Sequence, residues 1–112
     1  VNKSFLFICS ANKKRSKTAE DYFSKKFPDL NFKSAGTNRK ICFQENTNYL
    51  SKTDLEEADI VFVMEQHHEN YIYKNFNKKL SAPIIVLQIK DHFNYYQKEL
   101  IEILEKRVEK YF

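Results

Sequence analysis

Short apolar runs alternate along this chain with stretches in which apolar residues recur every three or four positions. Phe5-Leu6-Phe7-Ile8 is an unbroken apolar run that stops at Cys9, and it predicts a strand buried on both faces. A polar loop follows. Beyond it Ala19, Tyr22, Phe23 and Phe27 share one face of a helix that Pro28 and Asp29 end. Leu30-Asn31-Phe32-Lys33-Ser34 alternates apolar with polar, as a half-exposed edge strand does. Asn38 to Tyr49 is polar without clear periodicity and reads as loop with a helical turn. Ser51, with Asp54 three residues later, is an N-cap signal for a short helix through Glu57. Ala58-Asp59-Ile60-Val61-Phe62-Val63-Met64 predicts a central strand, Glu65 to Phe76 a helix, and Ile84-Ile85-Val86-Leu87 a fourth buried strand after Pro83. Tyr96, Leu100, Ile103, Leu104, Val108 and Tyr111 mark a long amphipathic helix that closes the chain.

Strands alternating with helices imply parallel pairing and right-handed crossovers. The expected fold is α/β: three layers around a four-stranded parallel sheet of order 2-1-3-4, flavodoxin-like. That order puts the alternating second strand at an edge and the apolar first and third strands inside. Ligands of such sheets bind beyond the carboxyl ends of the strands, at the switch between the first and third, where Cys9 stands. The one glycine of the chain, Gly36 in Ser34-Ala35-Gly36-Thr37, reads as marking a backbone angle that other residues do not adopt.

Composition narrows the picture. With 112 residues, 42% hydrophobic and 30% charged, the chain reads as one globular domain, residues 1–112. A net charge of +4 and a pI near 9.0 would suit an anionic partner. The lysines are nevertheless interleaved with acids, which favours a solvated surface over a nucleic-acid face. The one dense cluster, Lys13, Lys14, Arg15 and Lys17, lies next to Cys9. Two cysteines at unrelated spacing make neither a disulfide framework nor a zinc site, so a reducing, cytoplasmic setting is expected. Phe5 to Ile8 is too short for a signal-peptide core, and no run approaches membrane-spanning length, so no membrane partner is expected.

The chemistry concentrates between Cys9 and Ser16. A strand that ends at a cysteine, a tight turn and a helix beginning at Arg15 would aim free backbone N–H groups of Ser10, Ala11, Asn12, Lys13, Lys14 and Arg15 at a bound anion. Those groups, the helix end and Arg15 would together favour the thiolate of Cys9. Cys9 is then a nucleophile toward a bound phosphate, against the alternative of an inert buried thiol. Arg15 offers a planar fork to two phosphoryl oxygens, against a surface ion pair. Asn12 tolerates a left-handed turn, and Ser16 can donate to the thiolate or cap the helix. A general acid is also needed. Asp59 starts its strand, on the wrong edge of the sheet, and Asp21 lies about two turns beyond the loop. Asp91 follows the fourth strand on the same edge as Cys9. Phe93, Tyr95 and Tyr96 either wall a slot for an aryl group or face the core. His67, His68 and His92 form no spaced ligand set, so neither a metal nor a cofactor is expected. Cys42 reads as a packed thiol or loop residue.

The loop Cys9-Ser10-Ala11-Asn12-Lys13-Lys14-Arg15-Ser16 resembles the signature of low-molecular-weight protein tyrosine phosphatases: Cys, five residues, Arg, then Ser or Thr. Ser34-Ala35-Gly36-Thr37 and the strand ending at Met64 extend the resemblance over most of the chain. It implies a metal-independent phosphatase with Cys9 as nucleophile, Arg15 as phosphate ligand and Asp91 as general acid. The substrate would be a phosphotyrosine protein or a small phosphomonoester. Ala11 stands where the family commonly has glycine, and Lys14 where many members have a second cysteine. Asp91 lacks the following Pro-Tyr-Tyr, and the middle of the chain is shorter than the family's. Two rival readings share the scaffold: a non-catalytic module that binds phosphorylated ligands, and an arsenate reductase for which Cys42 would be a thin relay.

Overall fold

The all-apolar first segment becomes the inner strand of the sheet because both its faces find partners. In the computed structural model, which describes residues 3–76 and 80–112, β1 (Ser4–Cys9) lies between β2 (Asn31–Gly36) and β3 (Ile60–Val63), and β4 (Ile84–Val86) lies outside β3. All pairings are parallel and the order is β2-β1-β3-β4, as the alternation of elements predicts. Successive side chains of β1 point to opposite faces. Phe5, Phe7 and Cys9 join one core with α1 (Arg15–Lys26) and α5 (Lys98–Val108). Leu6 and Ile8 join another with α3 (Lys52–Glu57) and α4 (Gln66–Asn75). Phe7 stacks on Phe62 with ring centroids 5.2 Å apart, and truncating either ring would cost about 3–5 kcal/mol.

Four local expectations need correction. Residues 39–45 form a helix, α2 (Arg39–Glu45), capped by Asn38, whose side chain accepts from the Ile41 N–H at 3.1 Å. Its sequence hides this because it buries Cys42 alone, leaving no periodic apolar face. β4 is a half-buried edge strand rather than a buried one. Tyr96 does not open the last helix: it has φ 62°, its N–H donates to Thr18 Oγ1 at 2.8 Å, and α5 starts at Lys98. Gly36 does not have a positive φ. A Cβ there would meet the Ser10 carbonyl at 2.5 Å, Cys42 Sγ at 2.6 Å and Asn12 N at 3.0 Å, so close approach of the loop after β1 demands glycine. Among the described residues no helix is long and apolar enough to cross a membrane.

Candidate active site

The loop 10–14 leaves β1 over the carboxyl edge of the sheet and is clamped from outside by residues 38–48. The Ser10 carbonyl accepts from the Asn38 N–H at 2.9 Å, and the Ala11 carbonyl accepts from Thr47 Oγ1 at 2.6 Å. Cys42 Sγ, buried beneath them, reaches the same two carbonyls at 3.8 and 3.7 Å. Among the described residues nothing accepts from the backbone N–H groups of Ser10 to Lys14. A planar trans peptide points its N–H opposite to its carbonyl, so clamping the carbonyls on one side presents N–H groups on the other. Asn12 makes the reversal possible with φ 55°, a conformation asparagine adopts more readily than most residues. A small cleft of about 250 Å³ opens there, with Cys9, Ala11, Lys13, Lys14, Arg15 and Asp91 among its walls.

A directed chain of hydrogen bonds ends on the thiol. The Asn48 N–H donates to Asn12 Oδ1 at 3.1 Å, which fixes the amide so that Asn12 Nδ2 donates to Ser16 Oγ at 2.9 Å. Ser16 Oγ thus accepts from Asn12, and its single proton is free to go to a Cys9 thiolate at 3.0 Å, a shorter contact than the Ala35 carbonyl at 3.5 Å. A donor held on the sulfur favours its anionic form. The alternative role of Ser16, capping α1, is absent: no side chain caps that helix.

Arg15 is buried under the cleft, and its placement depends on two residues the sequence reading did not select. Its Nη1 donates to the Glu65 carboxylate and to the Ile89 carbonyl, the latter at 2.7 Å. Glu65 sits just past β3 and Ile89 just past β4, so two strand ends hold one guanidinium. Its Nε lies 3.7 Å from Asp91 Oδ1. Asp91 itself is 64% exposed. The segment that carries it is tied at its ends: Arg107 of α5 donates to the Leu87 and Gln88 carbonyls at 2.5 and 2.9 Å, and Gln88 has φ 57°. Glu65, Asn48, Thr47 and Arg107 leave no local signal, since each acts across the sheet or through a loop.

The three aromatic candidates fall outside the cleft. Phe93 is in the core. Tyr95 donates to Asp21 Oδ2 at 2.5 Å and lines a separate groove of about 720 Å³ behind Lys13 and Lys14, while Tyr96 packs against Tyr22. None of the three lines the cleft over Cys9. Lys13 pairs with Glu45, and Lys14 is exposed. Asp59 accepts from the Ser4 N–H at 2.7 Å at the amino end of β1, far from the site. Cys42 is a helical residue whose burial pushes its thiol up in pKa, an inert setting for a relay. Among the described residues no three His, Cys, Asp or Glu side chains gather as a metal cluster.

No protein-family model and no curated protein matches the sequence. Solved structures do match the fold. The tyrosine phosphatase AmsI of Erwinia amylovora aligns with 18% identity over 96% of this chain and 89% of its own, with a TM-score of 0.74. The low-molecular-weight protein tyrosine phosphatase of T. tengcongensis aligns with 22% identity over 97% and 99%, with a TM-score of 0.72. The YwlE arginine phosphatase of Geobacillus stearothermophilus aligns with 22% identity over 96% and 94%, with a TM-score of 0.67. With its four-stranded parallel sheet of order β2-β1-β3-β4 and helices on both faces, this chain has the fold of the low-molecular-weight protein tyrosine phosphatases.

Proposed function

We propose that the protein is a cysteine-dependent phosphomonoester hydrolase. The observation that carries this reading is Ser16 Oγ held 3.0 Å from Cys9 Sγ, beneath the backbone N–H groups of Ser10 to Lys14, which no acceptor among the described residues claims. In the proposed reaction the Cys9 thiolate attacks phosphorus, the P–O bond to the leaving group breaks, and Asp91 gives that oxygen its proton. Water then attacks phosphorus and passes a proton to the Asp91 carboxylate as the S–P bond breaks, releasing phosphate and the Cys9 thiolate. The N–H groups of Ser10 to Lys14 and the Arg15 guanidinium stabilise the equatorial oxygens in both steps. No metal or cofactor takes part. Phosphorylated proteins and small phosphomonoesters are the substrate class, and a reducing compartment, such as the cytoplasm, keeps both thiols free.

A second reading, a phosphate-binding module without turnover, draws on the exposure of Asp91, whose closest charged partner is 3.7 Å away. Hydrolysis of an aryl phosphate by wild type, Cys9→Ser and Asp91→Asn separates the two. Wild-type turnover that Cys9→Ser abolishes while retaining vanadate binding is expected. Asp91→Asn should slow esters with poor leaving groups most. A wild type that binds vanadate but turns over neither aryl phosphates nor phosphopeptides would establish the binding module instead.

A further inference from the structure

His68 is fully buried in the first turn of α4, and its ring lies between two polar partners. Nδ1 is 3.0 Å from the Glu65 N–H, and Nε2 is 3.0 Å from Ser10 Oγ. The backbone N–H can only donate, so Nδ1 is the acceptor and the proton of the neutral ring is on Nε2. Ser10 Oγ is therefore the acceptor. Burial, with His67 and Arg15 nearby, pushes the His68 pKa down to about 3, which keeps this tautomer uncharged at ordinary pH.

We infer that His68 is a positioning residue of the anion cradle, acting through Ser10. A fully buried imidazole is costly unless both nitrogens are paired, and here one of the pairs is the residue directly after the nucleophile. Ser10 is thereby held from two sides, its carbonyl by the Asn38 N–H at 2.9 Å and its hydroxyl by His68. The residue two before His67, Glu65, holds Arg15. One helical turn therefore sets both the N–H end and the guanidinium end of the cradle. Fixing dipoles before the anion arrives is what makes such donors effective, because no reorganisation is left for the reaction itself.

The turnover arm of the test rests on the hydrolase reading; the vanadate arm does not. A double-mutant cycle uses wild type, His68→Ala, Ser10→Ala and the double variant, with kcat, KM, orthovanadate inhibition or binding, and urea unfolding measured for each. Each single variant should lose about tenfold in kcat and in vanadate affinity after correction for the folded fraction, with KM changed less. The double variant should be no worse than His68→Ala within about twofold, since both act on one contact. His68→Gln, which keeps an N–H donor, should recover to within about threefold of wild type. Losses that multiply in the double variant, or a fully active Ser10→Ala, would overturn the inference. If His68→Ala does not fold, His68→Gln in the wild-type and Ser10→Ala backgrounds completes the comparison. There, similar penalties for Gln with and without Ser10 Oγ would overturn it. Coupled vanadate losses in a wild type without turnover would uphold the inference and sink the hydrolase reading. A wild type that binds no vanadate would sink both.

Discussion

Between Cys9 and Ser16 the side chains of Ser10, Asn12 and Arg15 are held by partners from other parts of the chain, whereas in residues 88–96 Ile89 and Phe93 are buried and the acid between them, Asp91, is exposed. Asn12 is bonded to Asn48 and Ser16, Ser10 to His68, Ser16 to Cys9, and Arg15 to Glu65 and Ile89. On the other side, Asp91 has one charged partner among the described residues, Arg15 Nε at 3.7 Å, and is mostly in solvent. The contrast follows from what each side is proposed to do. Donors that stabilise a transition state work when they are already aimed, so freedom there is lost rate. A proton donor has to meet leaving groups of different reach, and an exposed side chain between anchored neighbours allows that.

The comparison can be broken by loosening the rigid side. Asn12→Ala removes the left-handed turn residue and the donor to Ser16 together; a loss of about a hundredfold in kcat/KM on an aryl phosphate is expected, with vanadate affinity falling in parallel. Retained vanadate affinity in that variant would mean the cradle does not depend on the Asn48–Asn12–Ser16 chain. Gly36→Ala drives a Cβ into the Ser10 carbonyl and Cys42 Sγ and should cost about 2 kcal/mol in urea unfolding. An unchanged midpoint would show that the loop gives way easily.

His68 supplies a pH-dependent test of the same side. Its folded pKa of about 3 lies below the ordinary 6.5, so between those values the unfolded chain binds a proton that the folded one does not. Stability is therefore present above pH 6.5 and lost as pH falls toward 3, by about 1.4 kcal/mol per pH unit from this group. His68→Gln should flatten the fall in unfolding free energy between pH 4 and 6 by about that slope, and equal slopes in both proteins would refute it. The smallest effect is expected on the loose side. Arg107→Ala frees the Leu87 and Gln88 carbonyls but leaves the Ile89 carbonyl on Arg15, and should lower kcat for a poor leaving group about threefold while leaving vanadate affinity within error.

Much of the rigid side was legible because its coding is local. Cys9, Asn12, Arg15 and Ser16 lie within eight consecutive residues, and a strand before and a helix after them suffice to suggest a cradle. The sheet order was legible for a related reason: Phe5 to Ile8 and Ile60 to Val63 lack a polar face and belong inside, while Leu30 to Ser34 alternates and belongs at an edge; the equally apolar Ile84 to Leu87 gave no sign of its edge place. Residues 38–48 were not. Their contribution is a set of single contacts, Asn38 N–H, Cys42 Sγ, Thr47 Oγ1 and Asn48 N–H, each made to the loop from an irregular stretch with no periodic face. The aromatic residues after Asp91 were ambiguous between slot and core, and tertiary contacts decided: Phe93 joins the core and Tyr95 donates to Asp21 of α1.

The sequence by itself determined the order of elements, the parallel sheet and the position of Cys9 at its carboxyl edge, because periodicity and strand polarity are properties of neighbouring residues. Only the tertiary structure decided what holds the cradle. Glu65 on Arg15, His68 on Ser10 and Asn48 on Asn12 span 36 to 58 positions of sequence, and they become neighbours only when parallel strands bring their carboxyl ends to one edge. A hydrogen bond is specific in distance and angle, so such partners cannot be read before the fold has fixed both.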